Sequence, residues 1–192
     1  IFPPRFFVKR PTVENYMALP SLLAALRVPL SRYVFNSLFV AVASAALHII
    51  AASMAAFAFS KSQIRGRVIL FIIVQLALLY NAYTLAIPQY LIFSKMGIID
   101  TYWVYILPAI PSAMGCFLMK QYMDVSVPDI LMEAAKIDGA GIFRIFFQLV
   151  MPIVKPAWMT LLLFSFRDMW SIIPVGTIFS EALKTMPQVV ST

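Results

Sequence analysis

Few residues in this chain are equipped for chemistry. Its lone cysteine, Cys116, and lone histidine, His48, each sit inside a long apolar run. One thiol cannot close an internal disulfide, and one imidazole with no second Cys or His cannot hold a zinc ion. Both are therefore expected to pack rather than react, and no metal site is expected. No Ser/His/Asp set or carboxylate pair is placed for catalysis, and the sequence has no Gly-x-x-x-x-Gly-Lys-Ser/Thr phosphate loop. It does not read as an enzyme, and no cofactor is expected in it.

The residues that do stand out are ionisable or aromatic groups inside apolar surroundings. Arg167 and Asp168 interrupt the last apolar run, with Trp170 close behind. At membrane depth each charge costs at least ~2.5 kcal/mol unless it faces a bundle interior or water. Neighbours on a helix point about 100° apart, so each needs its own partner. Two readings follow: a translocation path in which Trp170 offers a ring face to a solute, or an ion pair with another subunit. Tyr80, Asn81, Tyr83 and Thr84 form a second polar-aromatic cluster. They read either as solute contacts or as the aromatic belt of a membrane interface, to which Trp103 and Tyr105 are also assigned.

Positioning these groups falls to helices in lipid. Of 192 residues, 62% are hydrophobic and 12% charged, against about 25% charged in a soluble domain. The net charge of +7 lies at the edges of apolar runs, which suits lipid headgroups rather than nucleic acid. Four apolar runs, 34–59, 68–94, 101–119 and about 153–175, predict four membrane spans and an all-α polytopic fold. Pro108, Pro111 and Gly115 are expected to kink the third, and Ala41, Ala45, Ala52, Ala55 and Ala56 to give the first a close-packing face. Residues 1–33, rich in proline, read as an extended extracytoplasmic segment, and 34–192 as the transmembrane domain. Basic residues balance between the two sides. Lys61, Arg65 and Arg67, in a short loop, tip that loop weakly toward the cytoplasm.

One long polar connection, about 124–148, is the most informative stretch. Pro128 suits a first helical turn, and Asp129 and Glu133 then lie near the positive end of the helix dipole. Ile130, Ala134 and Ile137 repeat as one apolar stripe. Asp138-Gly139 predicts the helix end, with Gly139 left-handed, and Gly141 loosens the turn further. A second, apolar helix starts near Ile142 and leads to Pro152. Such a knob fits a groove on another protein, or else lies flat on the headgroups; physics alone leaves both open.

Glu133-Ala134-Ala135, three residues, Gly139, nine residues, then Leu149-Val150-Met151-Pro152 resembles the signature of ABC importer permeases. That signature is Glu-Ala-Ala, three residues, Gly, nine residues, Ile-x-Leu-Pro, so Leu149 and Met151 are conservative departures. Ile137-Asp138-Gly139-Ala140, Val154-Lys155-Pro156-Ala157 and Arg32-Tyr33-Val34-Phe35-Asn36-Ser37-Leu38 resemble the carbohydrate-uptake branch, the second maltose-type permease. So does Thr101-Tyr102-Trp103 ahead of Ile106-Leu107-Pro108. The resemblance implies a six-span subunit of a bacterial inner-membrane importer, with the first and last spans outside this sequence. It implies that Glu133, Ala134, Ala135, Lys136, Asp138, Gly139, Ala140 and Gly141 form a cytoplasmic loop that docks on a separate ATPase. It also implies two such ATPases carrying ATP and Mg, a homologous permease as heterodimer partner and a solute-binding protein. Arg167 departs from the uncharged polar residues usual near that position and points to an acidic glycan. The rival readings are an ABC permease for amino acids, peptides or metals, and a secondary transporter. The latter would need intramembrane carboxylates, of which only Asp168 qualifies.

Overall fold

The computed structural model describes Met17 and residues 28–62, 64–80, 82–174 and 176–190. Most of the expected 1–33 segment lies outside these residues, as do Asn81 and the Tyr83 side chain. The described residues are helical and contain no strand. In order they are α1 (Leu30–Lys61), α2 (Arg67–Ala77), a 3-10 turn (Ala82–Leu85), α3 (Ala86–Met96), α4 (Trp103–Ala109), α5 (Ala113–Ser126) and α6 (Asp129–Ile137). Then follow α7 (Ile142–Ile153), α8 (Lys155–Trp170), a second 3-10 turn (Glu181–Leu183) and α9 (Met186–Val190).

The 32-residue α1 is the mast of the molecule, about 48 Å long. It begins four residues before the predicted run, so Leu30 to Tyr33 are helical rather than extended. Its inward face is small and polar: Ala41, Ala45, Ala52 and Ala56 are buried with Asn36, Ser37, Ser44, His48 and Ser53, and Ala55 is half-buried. Outward it shows Phe35, Leu38, Val42, Ile50 and Met54. Large apolar groups outside and small or polar ones inside is the arrangement lipid favours, because close helix contact needs small side chains. α5 and α8 pack along this face.

The four predicted runs are helical over most of their length, but only α1 is unbroken, and the fourth stops at Trp170 rather than near 175. The second run divides into α2 and α3, each of 11 residues, so neither crosses alone. Pro88 sits in the first turn of α3, where its missing N–H costs nothing, and there it cannot donate back to residue 84. The third divides at 110–112, where Pro111 precedes Ser112, whose hydroxyl caps α5 by accepting from Gly115 N–H at 3.0 Å. Together α4 and α5 are long and apolar enough to cross, as α1 is. α7 and α8 qualify as a third crossing only if counted together across their 80° bend.

His48 closes the break in the third run. Its Nδ1 lies 3.0 Å from the Ala109 carbonyl, left without a helical partner where α4 stops. The ring edge also rests on Gly115, where a Cβ would lie 2.5 Å from Nε2 and 2.9 Å from Cε1. The glycine here makes room for the ring. Gly115→Ala is accordingly expected to destabilise the detergent-purified protein by about 1–3 kcal/mol in thermal unfolding, the usual cost of overpacking. In the His48→Ala background the same change should cost nothing further. Equal losses in both backgrounds would show that the ring is not what Gly115 accommodates.

Candidate functional site

The loop that leaves α5 turns sharply because its backbone runs out of helix at both ends. Val127 and Pro128 are extended, with ψ of 97° and 140°, so Pro128 caps α6 from just outside rather than opening its first turn. Asp129 is the first helical residue. At the far end Gly139 takes φ +77°. Its N–H donates to Lys136 O, and Ala140 N–H to Ala135 O, both at 3.0 Å. These two bonds are the five-to-two and six-to-one pair of a Schellman end, which requires a left-handed residue at its centre. The left-handed Gly139 read from the sequence is thus present. Gly141 is different: its φ of −68° suits any residue, so the flexibility expected of it is not used.

α6 is asymmetric. Met132 is 6% exposed and packs into a cluster with Met123, Val127, Ile145, Phe146 and Val150. Phe146 meets Phe57 of α1 edge-on at 5.3 Å. On the other side Ile130 is 77% and Ile137 86% exposed, with Ala134 bare between them. Glu133, Lys136, Asp138, Gly139 and Gly141 are exposed, and Ala135 and Ala140 half-buried. The predicted apolar stripe exists, and nothing among the described residues covers it.

α7 departs from α-geometry over Ile145–Val150, where it widens into a π turn and Met151 N–H reaches Phe146 O. Pro152 and Pro156, one helical turn apart, cannot donate to Gln148 and Pro152, so the ladder fails there. At this bend Trp158 Nε1 donates to Met151 O at 3.1 Å.

Sequence reading missed the polar node beneath the loop. Lys61, the last residue of α1, places its ammonium 2.5 Å from Val127 O and 2.8 Å from Asp129 Oδ1. Ser60 donates to Asp124 Oδ1 and Lys120 to Asp124 Oδ2, each at 2.6 Å. A lysine closing a long apolar helix, facing Asp129 across 68 residues, gave no local signal. The Lys61 ammonium, by hydrogen bond and charge, holds the Asp129 carboxyl below the usual carboxylate range.

The second candidate cluster lies on α8. Asp168 lines a cleft of about 1060 Å³ with Ser44, Gln89, Ser112, Ser165 and Met169. The fully buried Ser44 hydroxyl has no partner among the described residues. Arg167 is not part of that lining. Arg167 and Asp168 are both exposed, and neither forms an ion pair or side-chain hydrogen bond among the described residues. Trp170 stacks on Phe166 with centroids 5.8 Å apart. Tyr80 and Trp103 are exposed, as an interfacial belt expects. Tyr105 is not part of one: it is fully buried, and its hydroxyl bonds Leu183 O and Gln188 Oε1.

No protein-family model matches the sequence. The chain is 30% identical over 172 residues to the polygalacturonan/rhamnogalacturonan transport system permease protein YtcP of Bacillus subtilis, covering 83% of this chain and 59% of that protein. It is 33% identical over 153 residues to the galactooligosaccharides transport system permease protein GanQ of the same organism, covering 77% and 52%. With the sn-glycerol-3-phosphate transport system permease protein UgpE of Brucella abortus it shares 34% over 145 residues, covering 74% and 51%. A bacterial ABC transporter involved in the import of the acidic polysaccharide alginate has the same fold, with a TM-score of 0.78 and 24% identity over 91% of this chain and 61% of that one. The chain is thus similar in sequence to transport system permease proteins and in fold to an ABC importer. It spans a little over half the length of these relatives.

Two tests probe the loop. Gly139→Ala puts a side chain into left-handed backbone, a change of about 1–2 kcal/mol against the helix end. It should speed amide hydrogen exchange over residues 134–140, while Gly139→Asn does so less and Gly141→Ala not at all. Equal exchange in all three would show that the Schellman end is not what orders the loop. The lowered Asp129 carboxyl sets a pH test. A depressed pKa adds stability above the unfolded carboxylate value, near 4, and loses it as pH falls through the folded value. The thermal stability difference between wild type and Asp129→Asn should therefore shrink to zero on acidification below about pH 4. It should be small throughout, because the carboxylate is exposed.

Proposed function

We propose that this chain is an ABC importer permease, a multi-pass inner-membrane subunit that moves a sugar or oligosaccharide inward, driven by ATP hydrolysed on separate subunits. The observation that carries the reading is the uncovered Ile130–Ala134–Ile137 stripe on a helix locked at Gly139. A short, rigid helix with one face buried in its own protein and the other bare is built to enter a groove. The groove belongs to an ABC ATPase, which holds the ATP and Mg, and the loop then faces the cytoplasm. Closure of two ATPases displaces α6 and rocks the spans between inward-open and outward-open states, with the substrate-loaded binding protein biasing the same equilibrium from outside. A homologous permease completes the pathway. The substrate class is supported by the names of the relatives, which include transport systems for galactooligosaccharides and for polygalacturonan.

The solute path runs past α8. Asp168 faces the cleft, and Arg167, about a third of a turn away, faces the second permease or the path enclosed between the two. A guanidinium with five fixed donors suits carboxylates or multiple hydroxyls. Trp170, Asn81 and Tyr83 complete the set assigned to the path.

In the reconstituted complex, Lys136→Cys should crosslink to the ATPase, and Gly139→Val should hydrolyse ATP without matching transport. Normal transport by Gly139→Val would overturn the docking reading. Arg167→Gln and Asp168→Asn should each lower uptake about tenfold, equivalent to ~1.4 kcal/mol of lost contact, with complex yield unchanged. If yield falls in step with uptake, these charges pair with the neighbouring subunit instead.

A further inference from the structure

Between α5 and α6 no backbone hydrogen bond sets the angle, which is left to side chains: the buried packing of Met132 on Met123 and Val127, and the polar contacts beside it. Val127 and Pro128 are extended, Pro128 has no N–H, and among the described residues no backbone hydrogen bond crosses the elbow: Val127 N–H returns to Met123 O, and Leu131 N–H to Pro128 O.

Beside that apolar packing, a polar side chain from a third helix crosses the elbow. Lys61 is 6% exposed along its side chain, and its ammonium sits 2.5 Å from Val127 O on the α5 side and 2.8 Å from Asp129 Oδ1 on the α6 side. The Val127 carbonyl is one of those freed where α5 ends, and it has lost its helical donor. Beside it, Ser60 and Lys120 hold Asp124 from two sides, and Lys120 lies 4.6 Å above the Phe71 ring of α2. The Asp129 contact is open to water, with that side chain 80% exposed, so the buried Val127 contact is the firmer of the two.

The helix that carries Lys61 is continuous to its other end, roughly 38 Å away at Asn36. There Asn36 Nδ2 donates to Ala182 O at 2.8 Å and Lys184 O at 3.0 Å, and Ser37 Oγ accepts from Met186 N–H at 2.8 Å. So α1 is tied at one end to the elbow of the loop and at the other to the 182–186 segment, with no break between.

We infer that Lys61 is a positioning residue that fixes the α5–α6 elbow to α1, so that displacement of α6 is delivered along α1 to the 182–186 segment on the opposite face. This rests on the reading of α6 as the ATPase contact. Under it, the uninterrupted helix, rather than the broken ones flanking the loop, carries the motion. A stiff element tied at both ends is what coupling between distant sites requires.

The test uses the full transporter in proteoliposomes with its ATPases and binding protein, reading solute taken up per ATP hydrolysed. Lys61→Met keeps the buried stem and removes the donor. The ratio should fall roughly fivefold or more, the lower end of coupling between linked sites, with complex yield unchanged. Lys61→Arg should recover most of it, and Asp129→Asn should lose less, because the Val127 contact remains. An unchanged ratio in Lys61→Met overturns the inference, and so does a yield that falls in step with uptake. The Lys136→Cys crosslink separates the two readings. If it fails in the otherwise wild-type complex, α6 is not the ATPase contact and both fall. If it forms there and Lys61→Met still couples normally, only the inference fails. Loss of the crosslink in Lys61→Met alone would mean that Lys61 shapes the docking surface instead of transmitting its movement, and would overturn the inference as well.

Discussion

A backbone carbonyl left without a donor in lipid costs several kcal/mol, and this chain interrupts its helices repeatedly. Side chains from elsewhere in the fold close these interruptions. His48 reaches Ala109 O where α4 stops, Trp158 reaches Met151 O across the bend between α7 and α8, and Lys61 reaches Val127 O where α5 stops. Asn36 holds Ala182 O and Lys184 O, while Asp100 Oδ1 accepts from Phe179 and Ser180 N–H. Breaks and caps occur together because neither is tolerable alone. The breaks give a membrane bundle places to bend, and the caps decide which bends are stable.

This constraint also sorts the polar residues buried in apolar runs. Asn36, His48 and Lys61 all look costly in sequence, and all are consumed by backbone groups of the same chain. Arg167 and Asp168 are not: neither has such a partner among the described residues. Arg167 and Asp168, on a helix that otherwise shows Met159, Leu163 and Phe164 outward, need partners beyond the described residues. That contrast gives them a stronger claim to function than their sequence position alone does.

Local features were legible from the sequence and long-range ones were not. The all-α class, the stripe on α6, its end at Gly139 and the start of α7 near Ile142 follow from periodicity and turn chemistry, which act within a few residues. The resemblance carried by Glu133, Gly139 and Pro152 pointed to the permeases that the chain is similar to. The division of the run at 68–94 was hidden because Tyr80 to Thr84 carries no charge, glycine or proline to mark a break. Tyr105 passed for an interfacial residue, since nothing nearby shows that Leu183 and Gln188 come back to bury it. The Lys61 node joins groups from positions 60, 61, 120, 124, 127 and 129, and no window of sequence contains it.

The two sides of α6 answer different demands. Met132 and the Phe57–Phe146 contact anchor it to the ends of α1, α5 and α7, so in the proposed docking an imposed movement has somewhere to go. Ile130 and Ile137 remain bare, so the movement has somewhere to come from. A helix buried on both sides could not be grasped, and one bare on both sides would turn in place. Nine residues, ended firmly at Gly139 and started loosely at Pro128, make a short rigid body hinged at one end. That length suits the proposed lever, since a shorter helix could not present Ile130 and Ile137 on one face.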